Sequence, residues 1–305
     1  MKIAITGATG FVGCRLVQVL NEDGHEIVVL TRRPERAQTL FPQVAFPKVT
    51  TVVYEPTQNG PWQAAVDGCD GVVNLAGAPI AERWTPDYKQ EILESREQGT
   101  QRIVEAIAKA SHKPAVLINS SAIGYYGTSE TATFDEDSAP GNDFLASVCQ
   151  RWEAAAQPAA ELGCRVVILR TGIVLGNGGA LERMIPPFQL FAGGPIGTGR
   201  QWFSWIHRDD LVSLIVRALD DSSMNGAYNA TAPSPVRMQE MCQTLGQVMG
   251  RPSWLPVPEF VLELLLGDAA QVVLEGQQVC PKRVSATDFE YEYPNITSAL
   301  RQVVS

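Results

Sequence analysis

Short apolar runs alternate with longer stretches of mixed polarity over the first 170 or so residues. Lys2–Thr6, Glu26–Leu30, Val49–Tyr54, Gly71–Leu75, Ala115–Ser120 and Arg165–Arg170 are short and rich in Val, Ile and Leu. They lack the apolar–polar alternation of a half-exposed strand, so they predict strands covered on both faces. Between them, Phe11–Leu20, Pro86–Ala110 and Asp143–Glu161 read as helices. In the last of these, Phe144, Val148, Trp152, Ala155 and Ala156 recur at helical spacing. Strands alternating with helices predict a parallel sheet packed on both sides, an α/β fold of the Rossmann-type doubly wound kind.

After Thr171 the pattern breaks. Gly176 to Gly179, Pro186-Pro187 and the glycines from Gly193 to Gly199 predict longer loops and a smaller, irregular lobe. A helix over Leu211–Leu219, capped by Asp209, and helices over Glu240–Met249 and Glu259–Leu266 follow. Pro252, Pro256 and Pro258 stiffen the connector between the last two. The expected division is a nucleotide-binding domain over 1–172, completed by 204–230, and a substrate lobe over 173–305.

Composition narrows the function. The 305 residues are 45% hydrophobic and 19% charged, enough for a full core. With 33 acids against 24 bases the net charge is −9, which argues against nucleic acid and anionic membranes as partners. The most apolar late stretch, Phe260–Leu266, is interrupted by Glu263 and falls short of the roughly 20 residues of a membrane span. A strand starting at Lys2 leaves no room for a cleaved leader, and six scattered cysteines without a CxxC pair suit a reducing compartment; a cytoplasmic location is expected. Three histidines and no ligand-spaced cluster predict no metal. A small-molecule substrate is expected, while a protein partner and the oligomeric state stay open.

The chemistry starts at Gly7-Ala8-Thr9-Gly10-Phe11-Val12-Gly13, a GxxGxxG turn between the first strand and the first helix. Glycines there let the backbone turn tightly and approach a pyrophosphate, and the free N–H groups of the helix start face the anion. NAD sites usually carry an acid about 20 residues on, at the end of the second strand. Here Thr31-Arg32-Arg33 stands in that place, which points to NADP(H), since a guanidinium pairs with a 2′-phosphate. Two solvated arginines ending a strand are the alternative.

At this point the chain resembles the extended short-chain dehydrogenases/reductases of the nucleotide-sugar epimerase type, over nearly its whole length. The resemblance rests on Asn74-Leu75-Ala76-Gly77, Glu97-Gln98-Gly99-Thr100, Ser120 to Gly127, Arg170-Thr171-Gly172 and Trp205 to Leu211. More narrowly, Cys149 to Glu153, Gly193 to Gly197 and Leu274 to Gln277 are similar to a subgroup known only as epimerase family proteins. That resemblance implies NADP binding with Leu75, Ala76, Gly77, Glu91, Arg96 and Val174 as cofactor neighbours, and an unassigned substrate. It implies either an oxidoreductase or epimerase acting on a carbonyl, alcohol or sugar nucleotide, or a catalytically silent sensor or scaffold, for example in cell division.

The wider family uses a tyrosine and a lysine four residues later as its acid–base pair. None of the seven tyrosines here is followed by lysine at that spacing, and matching Glu153 to the family puts Leu145 and Cys149 at the two positions. Tyr126, or Tyr125, and Ser121 are the remaining catalytic candidates at the mouth of the fifth strand; a packed aromatic pair is the alternative for the tyrosines. Cys149 reads as a core residue. Arg96 reaches either an anion or a helix-surface carboxylate, Glu91 or Glu94. Arg200 to His207, with two tryptophans, reads as a substrate loop or as packing between the lobes.

Overall fold

The computed structural model describes residues 1–304; Ser305 lies outside them. Seven parallel strands form the central sheet: β1 (Lys2–Thr6), β2 (Glu26–Thr31), β3 (Val49–Val53), β4 (Gly71–Asn74), β5 (Val116–Ala122), β7 (Arg165–Thr171) and β11 (Gly226–Ala230). Their order, β11-β7-β5-β4-β1-β2-β3, reverses direction between β1 and β4. Crossovers on either side of that point leave a crevice at the strand carboxyl ends, where ligands of open α/β sheets bind. The doubly wound sheet expected from the apolar runs is therefore present. Its last strand, β11, carries Tyr228 and Asn229 and gave no apolar run to read.

Strand side chains alternate between two cores. Ile3, Ile5, Ile27 and Val29 point to the face covered by α1 (Phe11–Glu22) and α6 (Arg208–Asp220). Ala4, Val28, Leu30 and Leu117 point to the other, against Ile103 and Ile107 of α3 (Pro86–Lys109). Fully burying each large aliphatic side chain contributes roughly 1.5–3 kcal/mol, so this two-sided burial selects the parallel arrangement. A short helix, α2 (Pro34–Leu40), follows β2. Helix α4 (Phe144–Ala156) starts at Asp143, whose carboxylate accepts the Ala146 N–H at 2.8 Å. Beyond it a 3-10 turn over Gln157–Leu162 replaces the expected α-helical continuation, because Pro158 has no N–H to donate.

The second lobe is built from small pieces. β8 (Ile173–Leu175) pairs with β10 (Trp205–His207), β9 (Trp202–Phe203) with β12 (Val236–Arg237), and β13 (Gln278–Val279) with β6 (Thr133–Phe134). Helices α5 (Ala180–Gln189), α7 (Met238–Met249) and α8 (Glu259–Leu266) complete the part that matters for the site. Two expectations need correction. Pro186-Pro187 does not break the chain into a loop: both lie in the last turn of α5, where only the bonds back to the preceding turn are lost. Asp209 does not cap α6. His207 does, its Nδ1 accepting the Asp209 N–H at 3.2 Å, while the Asp209 carboxylate pairs with Arg15 at 3.0 Å.

Candidate functional site

The carboxyl ends of β1, β4, β5 and β7 open onto one cleft of about 1000 Å3, closed on its far side by α5, β9 and α8. At its head lies the glycine turn. Gly7 has φ +68°, and a Cβ there would stand 2.8 Å from the Leu75 carbonyl carbon. A Cβ on Gly13 would collide with the Gly7 carbonyl oxygen, so strand and helix approach as only glycine permits. Gly10 caps α1 without a side-chain bond, and the first turn of α1 holds no acid. The orphan N–H groups and the positive end of the helix dipole thus face a cleft lined by Gly7, Gly10, Phe11, Val12 and Gly13. This is chemistry that fits a pyrophosphate.

Of the other expected cofactor neighbours, Leu75 and Val174 line the cleft. Arg96 does too, and it makes no ion pair with Glu91 or Glu94. Its guanidinium donates to the Ile92 and Ala78 carbonyls, each at 3.0 Å, and lies over the Trp152 ring at 5.0 Å. Burial pushes its pKa below the usual arginine value. Gly77 sits against it: a Cβ there would be 3.0 Å from Arg96 Cζ. Thr9 and Ala76 are half-buried just off the cleft, while Glu91 is exposed. Arg32 and Arg33 are exposed at the end of β2, with the Arg33 N–H bonded to the buried Thr31 hydroxyl at 3.1 Å.

The catalytic candidates separate. Ser121 lines the cleft, but its hydroxyl donates to Glu153 Oε1 at 2.6 Å. Glu153 is in turn held by Arg170 in a two-pronged pair of 2.9 and 2.8 Å. Burial opposes the Arg170 charge, yet the bonds and charge of Glu153 outweigh it and hold the guanidinium above its ordinary pKa. Tyr126 is not brought to the cleft. Its hydroxyl donates to Asn229 at 2.7 Å and accepts from Arg170 at 3.0 Å, and burial pushes its pKa up to about 12. Its ring packs edge-on against Tyr125, the packing alternative of the sequence reading. Tyr126→Phe should therefore cost about 1–3 kcal/mol, by stranding Arg170 and Asn229. An unfolding midpoint in urea equal to that of the wild type would refute that role.

The Arg200 to His207 segment divides as well. Trp202, Phe203 and Ser204 line the cleft, whereas Trp205 is buried among Leu175, Phe188, Met241 and Leu245, and His207 is the helix cap. Cys149 is both buried and part of the cleft wall, next to Ser121; burial pushes its thiol up to about 11, so it is neutral near pH 7. Two features went unread in the sequence. Gly176, Gly178 and Gly179 lie on the Phe11 ring, where a Cβ on any of them would come within 3.3 Å of it. Thr6, Asn74, Thr100 and Asn119 form a buried hydrogen-bonded chain across β1, β4, β5 and α3. No local pattern distinguishes such residues from loop glycines and surface polars.

A doubly wound sheet, a glycine turn before a helix with no side-chain cap, and a cleft shared with a second lobe define a Rossmann-type dinucleotide-binding protein. The chain belongs to the NAD dependent epimerase/dehydratase family, which matches residues 3–231. Residues 257–303 match a domain of unknown function, DUF1731. The chain is 52% identical to the Epimerase family protein SDR39U1 homolog, chloroplastic, of Arabidopsis thaliana, over 100% of this chain and 87% of that protein. It is 40% identical to the Epimerase family protein YfhF of Bacillus subtilis, over 100% and 98%. The crystal structure of human epimerase family protein SDR39U1 (isoform2) with NADPH is similar with a TM-score of 0.88, at 36% identity over 100% of this chain and 99% of that one. Among the described residues no helix is long and apolar enough to cross a membrane, and no group of His, Cys, Asp and Glu could hold a metal ion.

Proposed function

We propose that this chain binds NADP(H) and moves hydride between its nicotinamide and the carbonyl or alcohol carbon of a small molecule held against the 173–305 lobe. The observation that carries the reading is the exposed, acid-free N-terminus of α1 at the head of a cleft with room beyond it for a second ligand. Gly7 to Gly13, Leu75 and Val174 hold the dinucleotide, and Arg96 supplies a cation to its anionic part. Arg32 and Arg33 face the 2′-phosphate. Bound, the cofactor supplies or accepts the hydride. The relative crystallised with NADPH supports this choice of nucleotide.

The chain's own groups must supply the proton. Among the described residues that line the cleft there is no tyrosine, histidine or lysine. Ser121 commits its proton to Glu153 and so presents lone pairs to a substrate. Cys149, a neutral thiol against Ser121 and within the field of Arg96, is a proton-bearing group on that wall. The same wall favours a second reading, a cofactor-bound sensor or scaffold without turnover.

Titration of the purified protein with NADPH and with NADH tests the first step. NADPH should bind roughly tenfold to a hundredfold more tightly, the margin expected of charge-assisted bonds, and Arg32→Ala should erase most of it. Equal affinities in the wild type would remove the 2′-phosphate assignment. Turnover on short ketones, quinones and sugar nucleotides, followed as conversion of the substrate, then decides between enzyme and scaffold: a protein that binds NADPH and converts none of them is the scaffold.

A further inference from the structure

The cleft has two unlike halves. Around the glycine turn it is backbone N–H groups and a helix terminus; beyond Arg96 it is walled by apolar side chains, among them Ile92, Leu145, Val148, Met184, Phe188 and Leu262. The cations facing it are Arg96 and Arg183, and Arg183 already sits beside Glu82 at 3.4 Å. Asp143, Glu182 and Glu275 face it too. A second nucleotide diphosphate in this cleft would meet three carboxylates and one cation without a carboxylate partner, beside a cofactor that carries its own phosphates. Leaving those charges uncompensated in a partly dry cleft is costly.

Helix α8 gives a second, independent observation. Its sequence, EFVLELLL, is that of a core helix, yet none of its eight residues is buried. Leu262 and Leu266 face the cleft, while Phe260, Leu264 and Leu265 are 68%, 73% and 62% exposed. An apolar helix of a soluble chain ordinarily finds apolar surface to cover it. On its inner side Leu266 packs on the cluster of Ala78, Trp84, Ile92 and Val148, and what Leu262 and the rest of Leu266 face is the cleft, so a ligand that completes their burial there is itself apolar. Opposite α8, the polar groups Ser121, Cys149 and Trp152, with its buried and unpaired Nε1, lie together. They can fix one small polar head.

We infer that the second ligand is a bulky apolar carbonyl compound, seated between α4 and α8 with its oxygen toward the Cys149 thiol and Trp152 Nε1, which can donate to it, and not a nucleotide sugar. The carbonyl rests on the functional reading above; the apolar body rests on the wall alone. The probes are 2-dodecanone, 2-butanone and UDP-glucose, followed by quenching of tryptophan fluorescence in the full chain, with and without saturating NADPH. Each buried methylene contributes about fourfold in affinity, so burying only three of the eight that separate the ketones makes 2-dodecanone roughly fiftyfold tighter. Leu145→Trp, which fills the apolar half, should weaken 2-dodecanone about tenfold or more by removing two or more such contacts, and leave NADPH affinity unchanged. Leu264→Ser, on the outer face of α8, should change neither. Equal affinity for the two ketones overturns the inference, as does UDP-glucose binding more tightly than 2-dodecanone. Binding lost in Leu264→Ser but kept in Leu145→Trp overturns it as well, since the ligand then lies on the outer surface. Failure of NADPH to bind, with the ketones still discriminated, removes the functional reading and leaves the apolar site standing.

Discussion

Gly13→Ala abolishes nucleotide binding and destabilises the chain by about 1–3 kcal/mol, the cost of overpacking a close contact. The added methyl lands on the Gly7 carbonyl oxygen and also crowds Ala8, where a Cβ would be 2.7 Å from its Cα. Both neighbours are backbone, so no side chain can turn away. The start of α1 must lift from the end of β1, and the N–H groups that face the cleft move with it. Because an anion at a helix terminus is held by the direction of those N–H groups, a shift of an ångström removes most of the interaction. NADPH titration should show at least a hundredfold loss, about 2.7 kcal/mol. Binding within threefold of the wild type would mean that the dinucleotide does not sit on this turn.

The second large effect lies deeper. Glu153→Ala removes the partner of a guanidinium whose side chain is only 6% exposed, and it also leaves the Ser121 hydroxyl without its acceptor. Breaking a buried pair from one side costs about 3–5 kcal/mol, because the remaining charge stays desolvated. Urea unfolding should show the loss. The double substitution Glu153→Ala, Arg170→Met should recover part of it, since an apolar stem in place of the stranded cation avoids that cost. A single variant as stable as the wild type would show that Arg170 reaches water in solution. Glu153 stands where an acid commonly follows the tyrosine–lysine pair of the wider family, and its work here is to hold β5, β7 and α4 in register at the cleft wall.

The central fold was legible because its signals are local. Lys2–Thr6 is bounded in the structure as the apolar run predicts, and the glycine turn falls where a strand ends and a helix starts. Such features follow from steric limits on a few neighbouring residues. Asp209 shows where local reasoning stops: its position before an apolar helix suits a cap, but His207 is nearer the turn, and Arg15, 194 residues earlier on the neighbouring helix α1, draws the carboxylate away. Tyr126 makes the same point for function. At the mouth of β5 it had the right neighbourhood for catalysis, and only the arrival of Asn229 and Arg170 from two other strands fixed its hydroxyl outside the cleft.

The sequence by itself determined the parallel sheet, the glycine turn between β1 and α1, the arginines at the end of β2 and the absence of a tyrosine–lysine pair, all of which are written in contiguous residues. Tertiary structure alone decided which side chains share the cleft: that Arg96 lies over Trp152 and not beside Glu91, that Ser121 serves Glu153, and that α8 turns an apolar face toward an open space. The reason is that burial and charge pairing depend on groups tens to hundreds of residues apart, whose distances are set only when the two cores have packed.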